Sequence, residues 1–252
     1  MNGATLQGRR ALVSGAGSGI GAAIAAALAQ AGAQVTLLGR RSEALEATRA
    51  ALAGSGHRSV VADITDPATL IGLGAIDLLV NNAGQANSVP FAKADAEHWR
   101  GMLDVNLMGT VHLTQACLPG MRERRFGRIV NIASTAALAG YAYVTAYCAA
   151  KHAVLGFTRA LALEVAREGI TVNAVCPGYT DTPLLDDAVA NIVRKTGASA
   201  DDARARLAAG NPQRRLVTPD EVAHAVRWLC DPASGAVHGQ AIVVAGGEVM
   251  AG

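Results

Sequence analysis

Tyr147 and Lys151 stand four residues apart, and Ser134 lies thirteen residues before the tyrosine, closing the run Ile129-Val130-Asn131-Ile132-Ala133. On a helix, positions i and i+4 share one face, so the ammonium can sit beside the phenol. A phenol with an ordinary pKa of ~10 is a poor base near neutrality, and a neighbouring cation favours its phenolate. With four tyrosines and three lysines in 252 residues, about 0.05 Tyr-x-x-x-Lys matches arise by chance. The spacing equally suits a surface lysine packed along a core tyrosine. The other tyrosines lack the arrangement: Tyr141 and Tyr143 have Thr145 and Tyr147 at i+4, and Tyr179 has Pro183.

Elements that must position these groups are legible as an alternation. Strand candidates fall at Ala11–Ser14, Gln34–Leu38, Ser59–Ala62, Ile76–Val80, Arg128–Ile132, Thr171–Val175 and Ala241–Val244. Most are continuous β-branched or Leu runs, as in strands buried on both faces. Helical patterns occupy Ile20–Ala31, Ser42–Leu52, Ala96–Arg122, Ala146–Arg167 and Pro219–Leu229. The alternation predicts an α/β fold, a parallel sheet with helices on both faces. No linker or repeat divides the chain, so residues 1–252 read as a single domain.

Composition narrows the function. A net charge of +2 gives no reason to expect nucleic acid or an acidic membrane. Cys117, Cys148, Cys176 and Cys230 are dispersed without a Cys-x-x-Cys pair, which argues against zinc and disulfide scaffolds, and no metal is expected. The first eight residues lack a basic stretch followed by an apolar core, and the Ala-rich run 21–33 is too short to span a bilayer. A cytoplasmic protein is expected.

Ligands of such sheets bind beyond the carboxyl ends of the strands. The first strand runs into Ser14-Gly15-Ala16-Gly17-Ser18-Gly19-Ile20-Gly21 and then a helix. Glycines there allow a tight turn and let backbone amides approach a pyrophosphate. Two registers fit, Gly15/Gly19/Gly21 or Gly17-x-Gly19-x-x-Ala22. The second strand ends at Gly39-Arg40-Arg41, with no carboxylate for a ribose diol but two guanidinium groups suited to a 2′-phosphate. NADP(H) is therefore favoured, with NAD(H) left open. Asp63 could bond an adenine amino group or cap a helix begun at Pro67.

With Asn81-Asn82-Ala83-Gly84, Asn106, Ser134, Tyr147, Lys151, Asn173-Ala174-Val175-Cys176-Pro177-Gly178 and the closing Gly246-Gly247, in that order, the sequence resembles the short-chain dehydrogenase/reductase family over nearly its whole length. Its look is nearest to β-ketoacyl and polyketide ketoreductases. The resemblance implies a Rossmann-type, doubly wound, seven-stranded parallel sheet in a homotetramer. It implies an oxidoreductase that moves hydride between a nicotinamide cofactor and a carbonyl or secondary alcohol. Tyr147 would be the acid/base, Ser134 the carbonyl-orienting hydroxyl, and Lys151 the group that lowers the tyrosine pKa and holds the nicotinamide ribose. Asn106 would anchor a proton-relay water. Cofactor contacts would come from Gly15, Ser18, Gly19, Ile20, Gly21, Arg40, Arg41, Asp63, Ile64, Asn82, Ala83, Gly84, Tyr147, Lys151, Pro177, Gly178 and Thr180. Gln85, Asn87, Tyr143 and Tyr179 would face the substrate.

The pattern is departed from in places. Ser14 stands where threonine is usual, Ser18 where many NADP-dependent relatives carry a cation, and Ala245 where an acid often precedes the last glycines. The interval 63–81 is short, so its helix should shrink to a turn or two. Residues 181–215 occupy the place of a substrate lid, expected as a loop. Its Arg194, Lys195, Arg204, Arg206, Arg214 and Arg215 would either meet a CoA or carrier phosphate or pair with Asp186, Asp187, Asp201 and Asp202. A β-keto thioester or ketone is the leading substrate. An NAD-linked catabolic dehydrogenase and a nucleotide-sensing regulator are the alternatives.

Overall fold

The computed structural model describes residues 5–250. The opening residues 1–4, which bear on the expected absence of a leader, lie outside them. Seven parallel strands form one sheet in the order β3-β2-β1-β4-β5-β6-β7. They are β1 (Arg10–Ser14), β2 (Gln34–Gly39), β3 (Arg58–Val61), β4 (Leu78–Asn81), β5 (Gly127–Ile132), β6 (Ile170–Pro177) and β7 (Ala241–Val244). Because β2 lies on one side of β1 and β4 on the other, the winding reverses there and opens a crevice above their carboxyl ends.

Period-2 alternation divides the strands between two apolar layers. Ala11, Val13, Val35, Leu37, Leu78 and Val80 face one side, with Ile24 and Leu28 of α1 (Gly19–Gln30) and Val222, Val226 and Leu229 of α8 (Pro219–Cys230). Leu12, Leu38, Leu79, Ile129 and Val172 face the other, with Leu113, Cys117 and Met121 of α4 (Gly109–Arg124) and Leu161 and Val165 of α5 (Thr145–Val165). Strands covered on both faces need apolar residues at every position, which is why the alternating pattern is missing from the sequence.

Three expectations need correction. The helix predicted over Ala96–Arg122 is broken into α3 (Ala96–Leu103), a π-helical turn Asp104–Met108, and α4. Apolar spacing alone does not reveal such a turn, whose ladder runs i→i+5. In the short interval after β3, a single 3-10 turn, Pro67–Leu70, is capped by Asp66 through Ala68 N–H. Asp63 therefore does not cap it. The segment expected as a loop carries two helices, α6 (Pro183–Thr196) and α7 (Ala200–Ala208). The remaining helix, α2 (Ser42–Ala50), follows β2.

Candidate active site

Ser14 ends β1 with its hydroxyl buried, accepting from the N–H groups of Asn82 and Ala83, both at 3.0 Å. The Asn82 side-chain amide donates back to Ser14 O at 2.9 Å. These bonds staple the two strand ends at the crevice and fix the turn that follows. Gly15 and Gly19 have φ of +65° and +53°, and a Cβ on Gly21 would lie 2.2 Å from Gly15 O. The Gly15/Gly19/Gly21 register is the one the backbone requires. Ser18 is the N-cap of α1 but makes no capping bond, and the first turn holds no acid. That helix start keeps amides and dipole uncompensated by any side chain, as a pyrophosphate site needs.

Beyond β2, Arg40 and Arg41 are exposed, and neither joins an ion pair among the described residues. Asp63 accepts from Thr65 N–H at 2.9 Å and from its hydroxyl at 2.8 Å. The Thr65 bonds hold its carboxyl below the usual range, aided by the charge of Arg40. The Arg40 cation thus lies close to Asp63. The next residue points elsewhere: the Ile64 side chain is buried against Gly109, where a Cβ would come within 2.3 Å of Ile64 Cδ1. Only the Ile64 backbone is left to meet a cofactor.

Tyr147 and Lys151 share a face of α5 as the spacing predicts, with Lys151 Nζ 5.7 Å from the Tyr147 ring centroid. The ammonium donates to Ile132 O, at the end of β5, at 2.8 Å. Ser134 caps a 3-10 turn just past that strand, accepting from Ala136 N–H at 3.1 Å, and its hydroxyl is near enough to the Tyr147 phenol to favour its ionised form. Asn106 sits in the π turn with its side chain spent on the backbone. Its amide donates to Gln85 O and Met102 O, both at 3.0 Å, and its Oδ1 accepts from Gln85 N–H at 3.2 Å. A Cβ on Gly84 would lie 2.8 Å from Asn106 Oδ1 and 3.5 Å from Lys151 Nζ. The π turn and α5 therefore converge on Gly84.

The electrostatics reverse one expectation. Burial pushes the Tyr147 phenol up to about 12, although the Ser134 hydrogen bond opposes the shift. Burial also pulls Lys151 down to about 8. Lys151, whose ammonium is engaged by the Ile132 carbonyl, does not figure among the causes of the tyrosine shift, which loss of water dominates. The lowering was expected from Lys151 together with oxidised nicotinamide.

Of the residues expected at the substrate, Tyr179 follows Pro177-Gly178 at the end of β6 and meets Tyr141 edge-on, with centroids 6.3 Å apart. Tyr143 is 63% exposed with φ +69°, and its carbonyl accepts from Val89 N–H. The Gln85 amide donates to Gly101 O on α3, so its polar end is already engaged; Asn87 is exposed. Thr180, expected at the cofactor, donates its hydroxyl to Gly178 O at 2.9 Å. Thr182, which no motif singled out, sits against Gly19 instead, 3.2 Å from a Cβ built there. Tyr141 and Glu248 were also missed, and neither carries a spacing signal. The Tyr141 hydroxyl lies 2.9 Å from the Thr135 hydroxyl and donates to Glu248 Oε1 at 2.8 Å.

In the segment 181–215, Arg204 pairs with Asp181 and Asp186, and Arg215 pairs with Glu221 of α8. The expected pairing thus holds for Asp186 but not for Asp187, Asp201 or Asp202 among the described residues; Asp202 bonds Ser199. Among those residues no cluster suits a metal, and no helix is long and apolar enough to cross a membrane.

Comparison with known proteins agrees with this arrangement. Residues 9–192 match the family model described as short chain dehydrogenase. A D-beta-hydroxybutyrate dehydrogenase of Cupriavidus necator is 37% identical, covering 97% of this chain and 99% of its own. An acetoacetyl-CoA reductase of Allochromatium vinosum is 39% identical over 71% of this chain and 68% of its own. A variant of the actinorhodin polyketide ketoreductase, solved with NADPH, superposes with a TM-score of 0.91 at 40% identity, over 95% of this chain and 97% of that one. The chain belongs to the short-chain dehydrogenase/reductase family.

Proposed function

We propose that the protein is an NADPH-dependent ketoreductase acting on the β-keto group of a thioester or ketone. The observation that carries this reading is the meeting of Ser134, Tyr147 and Lys151 beyond the end of β5 in a chain 40% identical to a polyketide ketoreductase solved with NADPH. A phenol that keeps its proton near neutrality can give it to a carbonyl oxygen, and the reductive direction is supported by the ketoacyl and acetoacetyl-CoA reductase relatives. When bound, NADPH supplies the hydride from its nicotinamide ring. Tyr147 then gives its hydroxyl proton to the carbonyl oxygen, which Ser134 helps to hold where charge develops. Lys151 fixes the ribose and restores charge balance beside the phenol. Asn106 holds the Gln85 backbone in place and, with it, the floor beside Gly84.

NADPH rather than NADH is supported by the exposed Arg40 and Arg41, which join no ion pair among the described residues and would take the 2′-phosphate. Asp63 would meet the adenine. The Gly15–Gly21 turn, Asn82, Ala83, Gly84, Pro177, Gly178 and Thr180 would line the rest of the cofactor. The segment 181–215 would close over the substrate as a helical lid. The protein would work as a cytoplasmic homotetramer without nucleic-acid or membrane partners.

The test is oxidation of NADPH and NADH against a panel of β-keto thioesters, ketones and diketones. Tyr147→Phe should abolish turnover while NADPH still binds; normal activity in that variant sinks the assignment. Arg40→Ala should raise the KM for NADPH about tenfold or more and leave NADH unaffected, the scale of one lost charge-assisted contact. Equal effects on both cofactors would remove the basis for NADPH.

A further inference from the structure

The carboxylate of Glu248 bonds Tyr141, which packs on Tyr179, a residue expected at the substrate, and neither the glycine turn nor the Ser134, Tyr147 and Lys151 set accounts for it. It follows the last glycine pair, and its N–H donates to Ala245 O at 3.1 Å in a tight turn. The turn directs the side chain at three parts of the site. Its Oε1 accepts from Tyr141 at 2.8 Å, and Tyr141 in turn reaches Thr135, the neighbour of Ser134. Oε2 lies 2.9 Å from a Cβ built on Gly178, at the end of β6 just before Tyr179. On its far side is Gly210, just beyond α7 of the lid, where a built Cβ would be 3.4 Å from Oε1. Glu248 therefore stands where the strand end, the lid and the tyrosine wall meet.

None of the ion pairs among the described residues involves Glu248. Arg204 of α7 is held by Asp181 and Asp186. Tyr141 remains a hydrogen-bond donor to it, since burial and then the carboxylate's own charge push that phenol up to about 12, against the Thr135 bond.

We propose that Glu248 is a specificity-determining residue that discriminates by charge: it disfavours substrates carrying a free carboxylate beside the reacting ketone and admits their neutral esters, amides and thioesters. This rests on the reductase reading above. A carboxylate on a bound substrate and that of Glu248 would repel, and at an effective dielectric of about 20 a separation of about 10 Å would already shift an equilibrium about tenfold.

Acetoacetate and acetoacetamide test it, because they share size and shape and differ in charge. The wild-type holoenzyme should show a kcat/KM for acetoacetamide at least about tenfold above that for acetoacetate, the scale of that repulsion. In Glu248→Gln, which keeps an acceptor for Tyr141, the ratio should fall about tenfold with kcat on acetoacetamide unchanged. Glu248→Ala should lower the ratio as well. A ratio unchanged in Glu248→Gln, or an equal loss on both compounds, overturns the proposal. If wild type turns over neither compound, the reductase reading fails for small β-keto substrates. The charge ratio is then read from binding of the two compounds to the NADPH-loaded enzyme, where a ratio near one overturns the proposal too.

Discussion

Replacing Ser14 by alanine removes one hydroxyl and leaves two backbone N–H groups, those of Asn82 and Ala83, without the acceptor they share at 3.0 Å. Its own donation to Val80 O is long, at 3.5 Å, and adds little. A buried donor left unpaired costs about 1–3 kcal/mol. The lower end applies to each here because Asn82 and Ala83 are only partly buried, giving a loss of about 2 kcal/mol. In a protein of this size each kcal/mol moves Tm by about 2–4 °C, so the variant should melt roughly 4–8 °C lower. Urea unfolding should give the same loss through its midpoint with an unchanged slope. The weakened staple also bears on the glycine turn, so the Kd for NADPH should rise. Ser14→Thr, which keeps the hydroxyl, should recover most of both effects. A Ser14→Ala protein melting within about 1 °C of wild type would refute the stapling role, since that corresponds to less than about 0.5 kcal/mol.

Two further outcomes can be checked alongside the Tyr147→Phe and Arg40→Ala tests. Gly84→Ala should lower kcat tenfold or more while shifting Tm by less than about 2 °C, because its Cβ would push on Asn106 Oδ1 beside Lys151 Nζ and misplacements of about 1 Å cost rates of that order; undiminished turnover would rule this out. Lys151 titrates at about 8 when folded against 10.5 when free, so the folded state holds fewer protons between those values and gains stability as pH rises through them. Tyr147, raised from 10 to about 12, acts in the opposite sense only above pH 10. The stability of wild type relative to Lys151→Met should therefore improve between about pH 7.5 and 9.5, by up to about 2 kcal/mol at 1.36 per unit, as followed by urea unfolding; a flat difference would contradict it.

The strands and most helices were legible because their residues answer to local rules: continuous apolar runs for buried strands, and the i, i+4 pair that puts Tyr147 beside Lys151 on one face. The positions of Ser134 and of the glycine turn followed from the strand ends. What escaped depends on long-range contact. The π turn around Asn106 is set by the clamp on Gln85, twenty-one residues away in sequence. Glu248 reaches Tyr141 across 107 residues. The direction of the Tyr147 shift also escaped, because it depends on how much water the fold removes rather than on which residue stands four positions along.

The π turn between α3 and α4 sets a limit on how this chain can vary in length. An extra residue is absorbed there, and each residue of an α-helix advances it by 100°, 3.6 to the turn. Deleting one position from Asp104–Met108 would restore an ordinary helix with α4 still facing the sheet, but it would remove the widened turn that holds Asn106 against Gln85. A residue lost between Gly109 and Leu113, with the turn kept, would instead rotate Leu113, Cys117 and Met121 off the sheet by that angle. The joint thus lets a core helix keep its frame while the residue it absorbs places one side chain of the candidate site.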